Sequence, residues 1–67
     1  MDIHFRTIYK YADRINRLNH ILAELQHMAE EGEIDNQTFV ISSLGIIGEI
    51  REYTEMICAT AASCGGN

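Results

Sequence analysis

The residues of this chain best suited to chemistry are three glutamates, Glu49, Glu52 and Glu55, spaced three apart in Gly48-Glu49-Ile50-Arg51-Glu52-Tyr53-Thr54-Glu55. On a helix such a ladder stands on successive turns, and a Glu-x-x-Glu pair can hold a divalent cation when facing helices supply further carboxylates. His20 and His27 lie seven apart and so share one helical face. None of the three histidines, His4 included, has a cysteine neighbour or a His-x-x-x-His pair, and His20 and His27 fall on the polar side of the apolar stripe described below. The two cysteines, Cys58 and Cys64, would close too short a loop to staple anything distant. We read them as reduced thiols, with Cys58 a small buried filler near Tyr53 and Met56. Gly-x-Ser-x-Gly, a phosphate-binding glycine loop and Cys-x-x-Cys do not occur.

With Leu44-Gly45-Ile46-Ile47 in front of it, the ladder resembles the Gly-Glu-x-x-Glu helix of the all-α nucleoside triphosphate pyrophosphohydrolases, a likeness confined to residues 44–55. In that family such glutamates bind magnesium, so the resemblance implies a divalent-metal-dependent nucleotide pyrophosphohydrolase-like fragment using Glu49 and Glu52. The family's second acidic pair, Glu-x-x-Asp on a later helix, has no counterpart, because Ala61-Ala62-Ser63-Cys64-Gly65-Gly66-Asn67 carries no acid. The ladder also lies opposite the apolar seam of its own helix. The residues themselves therefore point to a solvated acidic face, with no catalytic, cofactor or metal site, and the hydrolase stands as the alternative.

The elements that would position these groups are long helices. Proline is absent and nothing between Ile3 and Glu31 breaks a helix. Ile8, Tyr11, Ile15, Leu18, Leu22, Leu25 and Ala29 recur three and four apart through three heptads, the period of one helical face. Phe5, Ala12, Ile21 and Met28 widen that stripe beyond a two-position seam, as in a bundle helix. Tyr9 is the exposed member of an aromatic trio with Phe5 and Tyr11. In Glu30-Glu31-Gly32-Glu33-Ile34-Asp35-Asn36, Gly32 suits the left-handed cap that ends a helix and Asp35 suits the start of the next.

The sequence thus predicts one domain over residues 1–67: a helix at about 3–31, a turn at about 32–35, a second helix at about 36–62 and a frayed tail at 63–67, the fraying following from the paired glycines. The β-branched stretch Thr38 to Ile47 does not alternate, and Glu49 to Ala62 is good helix sequence, which decides for helix over strand. Val40, Ile47, Ile50, Thr54, Ile57 and Ala61 give one seam, with Phe39, Ile46 and Tyr53 on one flank and Leu44 and Cys58 on the other. Ser42, Ser43, Gly45 and Gly48 are unusual in a helix interior and are read either as allowing another backbone to approach or as a weak, slightly bent segment.

A chain of 67 residues buries only about 60% of its unfolded surface and ordinarily needs disulfides, a metal or oligomerisation. The first two have poor support here. The net charge of −5 hides an asymmetry: residues 1–23 hold Arg6, Lys10, Arg14 and Arg17 against Asp2 and Asp13, while the rest holds eight acids and only Arg51. Folding about the turn brings Arg14 and Arg17 near Glu49, Glu52 and Glu55, which would favour the antiparallel register. The acidic majority argues against nucleic acid. The absence of an h-region and of a long uncharged apolar run leads us to expect a cytoplasmic protein without membrane association.

No charge occurs between Asp35 and Glu49, and the apolar residues there span more of the circumference than one neighbouring helix covers. We therefore expect an all-α antiparallel hairpin that pairs into a dimeric four-helix bundle or docks on a helical partner protein. Phe39, Val40, Leu44, Ile46, Ile47, Ile50 and Tyr53 form the expected interface. The expected function is that of a non-enzymatic adaptor, chaperone or inhibitor.

Overall fold

The computed structural model of the chain describes residues 3–65, with side chains described through Ser63. It consists of two α-helices that pack against each other as a hairpin, α1 (Ile3–Glu30) and α2 (Asn36–Gly65). The β-branched stretch Thr38 to Ile47 is helical throughout. α2 continues through Ser63, Cys64 and Gly65, three residues past the end expected from its sequence. The good helix formers Ala59, Ala61 and Ala62 carry it that far, and nothing before the glycine pair interrupts the ladder. Gly66 and Asn67, also expected to fray, lie outside the described residues.

The turn is closed by two local devices that the sequence announces. Gly32 has φ +77°, a conformation that costs glycine nothing because it has no Cβ. Around it the Gly32 amide donates to the Ala29 carbonyl at 3.1 Å and the Glu33 amide to the Met28 carbonyl at 2.9 Å. This pair of bonds is the Schellman closure of a helix C-terminus. Three residues later Asp35 caps α2: its carboxylate accepts from the Thr38 amide at 2.7 Å, satisfying one of the orphan donors of the first turn. The hydrogen bonds from Thr38 hold the Asp35 carboxyl below the ordinary aspartate range. Together the caps fix where the chain reverses, and hence which residues stand level across the hairpin.

All seven members of the α1 stripe, Ile8 through Ala29, are half-buried, as are Ala12 and Met28, whereas Phe5 and Ile21 are exposed. On α2 the half-buried residues are Phe39, Ser42, Ile46, Ile50, Tyr53, Ile57 and Thr60, with Ser43 the one buried residue among those described. This corrects the expected seam. Ile50 and Ile57 do face α1, but Val40, Ile47, Thr54 and Ala61 are exposed, and the flank Phe39, Ile46 and Tyr53 takes their place. The small Ser43, 8% exposed, lies in this seam beside Ser42, and the branched aliphatics divide: Ile46, Ile50 and Ile57 lie against α1, whereas Val40, Ile41, Leu44 and Ile47 are exposed. Ser43 Oγ has no hydrogen-bond partner in the structure.

Candidate interaction surface

Two broad faces flank the seam of the hairpin, and the residues beside each seam position decide their character. A helix turns about 100° per residue, so the residue just before a seam position and the one just after it lie on opposite sides. On α1 the residues before seam positions include Thr7, Lys10 and Arg14; on α2 they include Glu49, Glu52 and Met56. The structure shows this side directly. Thr7, Lys10, Tyr11, Arg14 and Tyr53 line an open groove of about 400 Å³, and Glu49, Glu52, Tyr53 and Met56 line a shallower one of about 270 Å³. Tyr53 belongs to both, and its ring centroid lies 5.8 Å from that of Tyr11, a spacing at which aromatic pairs attract.

On this charged face the basic and acidic side chains do not meet as the sequence led us to expect. Arg14 donates to Tyr53 Oη at 3.4 Å, and Arg17 pairs with Asp13 on its own helix at 3.2 Å. Neither reaches Glu49, Glu52 or Glu55. The level is right, since Arg14 stands beside Tyr53, but Arg17 is turned to the outside of α1 and Tyr53 occupies the gap before the glutamates. Exposed pairs of this kind contribute little in any case.

The other face is nearly free of charge. It carries the residues just after seam positions: Phe5, Tyr9, Ala12, Asn16, Asn19, Ala23, Gln26 and, at the turn end, Glu30 on α1, and Val40, Leu44, Ile47, Arg51, Thr54, Cys58 and Ala61 on α2. Among the seven residues expected to form an interface, Val40, Leu44 and Ile47 are exposed here, Leu44 to 63%. Phe39, Ile46, Ile50 and Tyr53 are half-buried in the seam against α1. Cys58 is exposed with a free thiol, which corrects its reading as a buried filler: it sits one residue past Ile57, beyond the reach of α1. Tyr9 is 67% exposed, in line with its expected place outside the core.

Gly45 and Gly48 admit no close approach within the chain. A Cβ added at either would meet nothing within 4 Å, so neither is needed for α1 to approach α2, and the close approach is made by Ser42 and Ser43. The signal that would have separated them is the spacing from Ile46 and Ile50, which puts the serines on the inner side and the glycines outside.

The acidic ladder and the histidines stand apart from any enclosed site. Glu49, Glu52 and Glu55 are exposed, as are His20 and His27, and His20 pairs with Glu24 at 3.5 Å. No group of three or more His, Cys, Asp or Glu among the described residues is placed to share a metal ion. No helix among the described residues is long and apolar enough to cross a membrane. Comparison with protein-family models, with curated proteins and with solved structures finds no match for this chain.

Proposed function

We propose that the chain is a small non-enzymatic protein–protein interaction module, of adaptor, chaperone or inhibitor type, built by self-association of the hairpin into a four-helix bundle. One observation carries this reading: among the described residues no hydrophobic side chain is buried, while Ile3, Phe5, Tyr9, Ile21, Val40, Ile41, Leu44, Ile47 and Met56 are exposed. A monomer of this form has no core. Each large apolar side chain left in water forgoes roughly 1.5–3 kcal/mol, and a few of them match the whole stability of a small domain. A second layer of helices supplies the missing burial, as layered architectures in general require.

The nucleotide hydrolase reading gains nothing from the geometry, because the carboxylates of Glu49 and Glu52 point to solvent with no facing acid beside them. Light scattering behind size exclusion at micromolar concentration tests the proposal. The expected result is a helical dimer whose melting temperature rises with concentration. A helical monomer that melts cooperatively would overturn it.

A further inference from the structure

The two faces of the hairpin lead to a statement of how the copies meet. We infer that two copies pack through the nearly uncharged face with their hairpins antiparallel, α2 on α2, so that the turn of one lies at the open end of the other. This rests on the self-association proposed above. The face has the required size: the backbone extends 51 × 19 Å across its two long dimensions, and a standard interface needs on the order of 800 Å² per partner.

Three features select the orientation. The first is side-chain size along α2: Val40, Leu44 and Ile47 crowd the half next to the turn, and Thr54, Cys58 and Ala61 occupy the other half. Turning the second copy end for end sets each bulky half against a small half, as close packing requires. The second is Asn16 on α1. At 1.5 Å per residue it stands about 23 Å from the turn, level with the midpoint between Ile47 and Thr54. It therefore falls beside the two-fold axis, where the amides of the two copies can bond to each other, an arrangement that fixes register at a modest loss of stability. With both turns at one end, α2 would instead lie over α1 of the other copy, setting the Asn19 amide level with Ile47 without a polar partner.

The third is charge. The turn segment carries Glu30, Glu31, Glu33 and Asp35, whereas residues 1–10 carry Arg6 and Lys10 against Asp2. The antiparallel pair separates the two acidic turns and brings each toward a basic end; the parallel pair clusters them within a screening length. Arg51, which follows Ile50 on this face and stands level with the axis, reaches water past its aliphatic stem.

Spin labels on the turn read the arrangement. In a chain with Glu33→Cys, Cys58→Ser and Cys64→Ser, the antiparallel dimer places the two labels about 45 Å apart, twice the rise from the turn to the axis. A distance below about 20 Å, that of parallel hairpins packed at helix-to-helix spacing, would overturn the inference while leaving self-association intact. A monomer mass with no dipolar coupling would remove both. Oxidation tests the face itself: Leu44→Cys with Cys64→Ser should cross-link through Cys58 of the second copy, whereas Lys10→Cys in the same background should not. Cross-linking of Lys10→Cys in place of Leu44→Cys would overturn the choice of face.

Discussion

The charged and the uncharged faces of this hairpin are made from the same two helices, yet they use opposite means to stay ordered. On the charged face, Lys10, Arg14, Glu49 and Glu52 surround a tyrosine pair that closes the gap between helices, and every polar group there has access to water. On the other face, Val40, Leu44 and Ile47 lie exposed. The first keeps its charges hydrated, and the second leaves branched aliphatics in water. A surface that hydrates its charges needs nothing further, whereas exposed branched aliphatics represent free energy that only another apolar surface recovers.

The widest test of that contrast is Ile47→Asp. If the aliphatic face is covered by a second copy, the new carboxylate is desolvated without a partner, costing several kcal/mol. The expected outcome is loss of both the dimer mass and most of the helical circular dichroism. In an uncovered hairpin the same change, at a residue 44% exposed, would leave the spectrum nearly unaltered.

A smaller effect of opposite sign is expected at Gly45. Its added Cβ meets nothing, and glycine in a helix interior costs about 1 kcal/mol relative to alanine, so Gly45→Ala should raise the melting temperature without changing the mass. A fall in stability would show that a backbone does approach α2 there.

At the turn, Asp35→Ala removes the acceptor for the Thr38 amide and should lower the melting temperature by a few degrees. Because the folded carboxyl lies below its unfolded value, its contribution is present above the unfolded value near pH 4 and is lost as the pH falls through the folded one. Melts of the wild type and of Asp35→Ala should therefore converge in acid. The smallest change is Tyr53→Phe, which deletes a long, exposed bond from Arg14. It should cost no more than about 0.5 kcal/mol, and a larger loss would mean that the charged face is buried in the assembly.

Much of this fold was legible from local chemistry. The α1 stripe named its own inner face because its charged residues leave a single apolar arc, and Gly32 and Asp35 marked the turn because each is suited to one backbone task there. The seam of α2 was not legible in the same way. From Asn36 to Gly48 no charge marks an outer side, so two apolar arcs compete, one through Phe39 and Ile46 and one through Val40 and Ile47. Periodicity alone cannot rank them, and the branched residues drew the choice to the wrong arc. Cys58 was misplaced for the same reason, since its burial was inferred from a seam one residue out of phase.

What the sequence determined by itself is therefore the helices, their caps and the antiparallel reversal, all of which depend on contacts within a few residues. The rotation of α2 about its axis was decided only in the tertiary structure. It depends on which side chains of α2 fit against α1, and that packing buries Ser43. The same choice determines which aliphatics remain outside: Ile46, Ile50 and Ile57 are half-buried against α1, while Val40, Leu44 and Ile47 are exposed.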